Sequence, residues 1–117
     1  MKPTITTISA LEVVNDLIPK LNAVEKHIEQ MIKAVLEASS VPNQIERYTK
    51  LQAEFQLELT MIRMNLSHLL KRYHHELEVV MNDNRQDVLL SLDTYEAMAV
   101  ENAKQLYDRV QRIQQSP

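Results

Sequence analysis

The sequence predicts an all-α fold, an antiparallel three-helix bundle with a long central helix and a kinked first helix, which a second copy or a partner chain can complete. Three observations predict it. The 117 residues include no Gly and only 4 Pro, so the backbone positions that usually serve tight turns with φ > 0 are missing. Apolar residues recur at spacings of three and four along three stretches, the signature of helices with one buried face. Turn chemistry gathers at two hinges, 39–43 and 82–92, the second opening on Asn82, Asp83 and Asn84. Asn tolerates left-handed backbone and can close a helix where Gly normally would. At this length the chain, 1–117, reads as one helical domain.

The first helix spans about 9–39. Ser9 and Glu12 have the spacing of a capping box. Val14, Leu17, Leu21, Val24, Ile28, Met31 and Val35 then form an unbroken seam of the kind that packs bundles. Pro19 lies inside it, and its missing N–H and ring clash should kink or restart the helix near Leu17. Asp16 with Lys20 and Glu29 with Lys33 are spaced as i,i+4 ion pairs on the outer faces.

The second helix spans about 44–81. Its main stripe is Tyr48, Leu51, Phe55, Leu59, Ile62, Leu66, Leu69, Tyr73, Leu77 and Val80. Leu57, Met61, Met64 and Leu70 form a second stripe on another face, and between Glu58 and Lys71 the only formal charge is Arg63. A helix apolar on more than one side needs cover on more than one side, which places this segment at the centre with neighbours on both flanks.

The third helix spans about 93–114, after a short preface, 85–90, and a weaker break at 90–93. Asp93 and Glu96 repeat the capping spacing. Its stripe is Leu92, Tyr95, Ala99, Ala103, Leu106, Val110 and Ile113, where the alanines permit close approach. Acidic residues at its start and Arg109 and Arg112 at its end complement the helix dipole. The tail, 114–117, should fray.

Composition excludes several chemistries. Without Gly there are no phosphate-cradling loops, dinucleotide fingerprints or EF-hand loops, and without Cys no disulfides, thiolate zinc sites or thiol nucleophiles. A net charge of −3 gives no electrostatic reason for nucleic-acid binding. No run of roughly 18 apolar residues exists to span a membrane, and the first residues, 1–7, lack the basic and apolar regions of a signal peptide. The expectation is a soluble intracellular protein without cofactor or metal.

His27, His68, His74 and His75 contain no pair at the spacing of two ligands on one helix face. His74 and Glu78 have it but lack a third ligand. His68, among apolar neighbours, reads as a partly buried imidazole bonded to an adjacent helix. Arg63, Lys71, Arg72, His74 and His75 form a cationic group. It could dock an anion or an acidic partner, though a snorkelling rim around a buried helix is the commoner use. The methionines read first as core filler, with an adaptable partner groove as the alternative. Leftover apolar surface at Leu57, Met61 and Met64 would favour self-association or a helical partner.

The stretch 56–67, Gln-Leu-Glu-Leu-Thr-Met-Ile-Arg-Met-Asn-Leu-Ser, resembles the central helix of the helical A domain in subunits of the GINS DNA-replication complex, closest to the Sld-five type. That helix reads approximately Q-[LM]-E-[LM]-x-x-I-R-x-x-L-S. The similarity continues through Leu70 and Lys71 to Leu77 and Glu78, and covers about a quarter of the chain. Leu90 and Ser91 before an acidic helix start also resemble the family, whereas Tyr73 and Glu76 stand where it usually has Arg and Lys. The resemblance implies a non-enzymatic subunit of a helical assembly, nuclear if it holds and otherwise cytoplasmic, and brings no catalytic residue with it.

The favoured role is therefore a non-enzymatic interaction or scaffold subunit that packs apolar helix faces against helical protein partners or forms a homodimer. Leu57, Met61, Met64, His68, Arg63 and Arg72 are its candidate contacts. The alternative is a small acidic secretion-type chaperone or adaptor that shields a client's amphipathic helix, and a small all-α enzyme comes third.

Overall fold

A computed structural model describes residues 6–38 and 42–115. Residues 39–41 of the first hinge, residues 1–5 and 116–117, and the burial of Val35 lie outside the described residues.

The chain is predominantly helical. In order it comprises β1 (Thr7–Ser9), α1 (Ala10–Glu12), a π turn (Val13–Leu17), α2 (Ile18–Ala38), α3 (Pro42–Arg72), α4 (His74–Asn82), a 3₁₀ turn (Asn84–Gln86), β2 (Leu89–Ser91) and α5 (Thr94–Gln115). At 1.5 Å per residue the 31-residue α3 spans about 46 Å, which accounts for most of the molecule's 52 Å long axis. Side-chain pairings give the directions of the three long helices. Glu25 meets Arg63, and Glu58 meets Arg109 while Arg72 meets Glu96, so α3 runs antiparallel to both α2 and α5. Lys20 lies over Tyr107 and His27 meets Gln111, so α2 and α5 run parallel.

The core lies where these helices meet. Phe55, Leu59, Ile62, Leu66 and Leu69 of α3 are buried against Leu17, Leu21, Val24 and Ile28 on one side and Ala99, Val100, Ala103, Leu106 and Val110 on the other. The main stripe expected of the second segment is thus interior along its middle, and Leu77 and Val80 extend it into α4. The segment expected as one helix over 44–81 divides at Tyr73, whose φ of −110° and ψ of 25° leave helical geometry.

The restart expected from Pro19 takes the form of the π turn. Ile18 N–H bonds Val13 carbonyl, five residues back, instead of the usual four. The wider turn relieves the crowding that the proline ring imposes on the preceding carbonyls. Of the expected seam, Val14 is only half-buried, and Val13, four residues before Leu17, is fully buried in its place.

The two-stranded sheet is a departure from the all-helical expectation. β1 pairs antiparallel with β2, Thr7 opposite Ser91, Ile8 opposite Leu90 and Ser9 opposite Leu89, and the Ile8 and Leu90 side chains are buried. The sheet holds the start of the first helical rod. The N–H groups of Ala10, Leu11 and Glu12, which a helix start leaves without internal partners, go to Val88 carbonyl, Asp87 Oδ1 and Ser9 Oγ. Only half of the expected capping box forms here, because the Glu12 carboxylate turns to Lys104 at 3.3 Å.

At α5 the box is complete: Glu96 N–H donates to Asp93 Oδ1 at 2.7 Å, and Asp93 N–H donates to Glu96 Oε1 at 2.9 Å. Tyr95, expected in the stripe, is 70% exposed; Glu96 turns inward, and Ala97 and Val100 are buried in the tyrosine's place. Asn closes no helix in left-handed backbone, since no described residue has positive φ; α4 ends on Asp83 in extended conformation. Asp16 and Lys20 pair at 3.1 Å, whereas Glu29 and Lys33 form no ion pair among the described residues.

Candidate docking surface

The candidate site is the face of α3 turned away from the core. α2 and α5 cover two sides of this helix, and the third side stays open. Leu57, Met61 and Met64 are 63%, 56% and 65% exposed. The expected cover on every apolar side is therefore not supplied within the chain. Helical geometry explains the split. Leu57, Met61 and Met64 follow at four and three residues and share one line, opposite the line of Phe55, Leu59, Ile62 and Leu66. Leu70, six residues beyond Met64, is off that line and packs half-buried against the core.

His68 continues the outward line and is exposed, so its expected burial beside another helix does not occur. The histidine in that situation is His27, half-buried between α2 and α5, whose Nε2 meets the Gln111 amide at 3.4 Å. Its Nδ1 is buried without a hydrogen-bond partner. The methionines also depart from the core-filling expectation. Met31 packs on the core, but Met61, Met64, Met81 and Met98 are all exposed.

The cationic group does not form a single patch. Arg63 leans onto α2, donating to Glu25 at 3.0 Å and to Asn22 at 3.1 Å. Arg72 donates to both carboxylate oxygens of Glu96 at 2.9 Å and to Ser91 carbonyl at 2.6 Å. Both arginines are thus engaged within the fold, with side chains still 37% and 43% exposed. His74 faces Glu78 at 3.6 Å, and Lys71 and His75 are exposed. Among the described residues no three His, Cys, Asp or Glu side chains converge to hold a metal ion.

Beside Arg63 a groove of about 220 Å³ opens between α2 and α3. Leu17, Ile18, Leu21, Leu66 and Leu70 form its floor, and Asn22, Arg63 and Ser67 its rim. It is smaller than the roughly 300 Å³ at which small-molecule pockets begin, and its scale suits one apolar side chain. The π turn ends at one of its floor residues, Leu17, and α2 begins at the next, Ile18.

Electrostatics are unusual at the junction of α3 and α4. Tyr73 Oη accepts from Ser91 N–H at 3.2 Å, and the Arg72 guanidinium lies 4.9 Å from its ring centre. The Ser91 N–H, and then Arg72, favour the phenolate and lower the tyrosine's pKa, while the hydrogen bond to Glu96 raises that of Arg72. A depressed acid adds stability only where it is ionised. The contribution of Tyr73 is complete above the ordinary value of about 10 and is lost as pH falls through the folded value. Alkaline absorbance titration of the protein, with Tyr73→Phe subtracted, is expected to give a midpoint below 10, and Arg72→Met to move it upward. A midpoint unmoved by Arg72→Met would remove the arginine from this account.

No protein-family model matches this chain, and no curated protein or solved structure matches it either. No described helix is long and apolar enough to cross a membrane.

Proposed function

We propose that this chain is a non-enzymatic helical interaction subunit that docks protein helices along the outward line of α3, its three long helices acting as an antiparallel bundle. One observation carries the reading: Leu57, Met61 and Met64, more than half exposed, stand on successive turns of the longest helix. Water-facing helices ordinarily place charge on that line; here burial against another apolar helix would remove these three large side chains from water. Methionine's flexible thioether suits such a contact, because it fits partner surfaces of different shape. A subunit of a GINS-like replication assembly is one specific form of this role. The stretch that resembles that family, 56–67, lies wholly within α3 and includes all three exposed residues.

The apolar groove favours a second reading, a chaperone or adaptor, since it would seat one side chain of an amphipathic client helix. The first reading needs the outward line of α3 to be a contact and not a core. The double substitution Met61→Glu with Met64→Glu is therefore expected to reduce binding of an apolar fluorescent dye and any association in sedimentation. The melting temperature should stay within a few degrees, as for other exposed positions. Wild-type sedimentation, dye binding and stability in this variant would show that these residues serve neither as core nor as contact.

A further inference from the structure

The geometry points to a second copy of this chain as the occupant of the α3 face, with two α3 helices packed antiparallel about a two-fold axis between Met61 and Met64. The inference rests on the docking role of that face and adds the identity and direction of the partner.

The outward line runs Glu54, Leu57, Met61, Met64, His68, Lys71, at spacings of three, four, three, four and three. All six are exposed and lie within one unbroken helix that continues to Arg72. The spacing is the seam of a two-helix coiled coil, and it reads the same in both directions. Turning a second copy end for end therefore brings each position onto a seam position of its partner. Met61 meets Met64, Leu57 meets His68, and Glu54 meets Lys71, each twice by symmetry. The centre is apolar and both ends carry opposite charges. Neither Glu54 nor Lys71 has an ion-pair partner among the described residues. A parallel pair would instead set Glu54 against Glu54 and Lys71 against Lys71, so charge selects the antiparallel arrangement.

The flanks of the line are prepared for cover. Thr60 donates its hydroxyl proton to Gln56 carbonyl at 2.9 Å and Ser67 donates to Met64 carbonyl at 2.7 Å, so neither leaves an unpaired donor when the face is covered. Beside the apolar centre of the line, Glu58, Arg63 and Arg72 are drawn sideways onto the chain's own helices, Glu58 to Arg109 at 3.0 Å, Arg63 to Glu25 and Arg72 to Glu96. Between Glu54 and Lys71 the outward line itself is the self-complementary row, and exposed Lys50 lies one step before its start.

The test uses the full chain in sedimentation equilibrium over a wide concentration range. Wild type is expected to show a monomer–dimer equilibrium. Glu54→Lys and Lys71→Glu each place like charges together twice and should raise the dissociation constant about tenfold, while the double swap should return it to within about threefold of wild type. Circular dichroism checks that all three variants remain helical. Single variants that dimerise like wild type, or a double swap no tighter than the singles, overturn the antiparallel pairing. A wild type that stays monomeric throughout overturns the second copy as occupant. If that monomer also loses dye binding on Met61→Glu/Met64→Glu without a drop in melting temperature, the docking role survives for a different chain. If the melting temperature falls as steeply as for a core substitution, the docking role fails too.

Discussion

Leu59→Ala is expected to lower the stability of the fold by about 3 kcal/mol, and Leu57→Ala, two residues earlier on the same helix, by no more than about 0.5 kcal/mol. The chemistry of the two substitutions is identical and the helix propensity change is the same. Only surroundings differ: Leu59 is fully buried between α2 and α5, and Leu57 is 63% exposed. Truncating Leu59 forfeits its transfer from water and leaves a cavity that three packed helices can only partly collapse. Truncating Leu57 exposes nothing that was hidden. Urea denaturation at low protein concentration reads the difference, with an unchanged slope showing that both variants unfold from the same compact state. Equal losses at the two positions would mean that α3 is buried on its outer side as well, and would contradict the docking face.

This contrast is legible in outline in the sequence. Periodicity separates Leu59 from Leu57 because 3.6 residues per turn puts them on different faces. It cannot say which of two apolar faces is covered, since that depends on how many helices the chain supplies. The chain supplies two neighbours for α3, α2 and α5, and they meet the richer face. The burial expected of His68 fails for the same reason: apolar neighbours in sequence mark burial only if their face is the covered one. His27 carries no such signal, and its partner Gln111 is distant in sequence and near only in the fold.

Other features lay below the reach of pattern reading. Strands of three residues are too short for alternation to register, and β1 and β2 are separated by most of the chain. The π turn was partly legible, because Pro19 demanded a local change, but a proline alone does not choose between a bend, a break and a wider turn. The start of α5 was fully legible, since Asp93 and Glu96 bond each other's backbone as their spacing requires. What the spacing concealed was a second task for Glu96. A surface capping box leaves its glutamate in water, and this one is buried because Arg72 reaches it from the end of α3.

Glu96→Ala is accordingly expected to cost about 3 kcal/mol, or about 10 °C in melting temperature, well beyond the roughly 1 kcal/mol of an isolated helix cap. Glu96 is 1% exposed, and its two oxygens accept three hydrogen bonds, one from Asp93 N–H and two from Arg72, all at 2.9 Å. Arg72 also holds Ser91 carbonyl, while Tyr73, where α3 gives way to α4, accepts from Ser91 N–H. One carboxylate thus ties the end of α3 to the start of α5 across the end of β2. Removing it frees the Asp93 N–H and both donors of the guanidinium, and opens a cavity under the first turn of α5. A buried charge without its partner is worse than none. Arg72→Met alone is therefore expected to destabilise the protein more than Arg72→Met combined with Glu96→Leu, which fills the space without a charge. Thermal denaturation of the three variants decides the point. If the double variant is the least stable of them, Glu96 must find other partners once the arginine is gone, and the clamp is not what holds the α3 and α5 ends together.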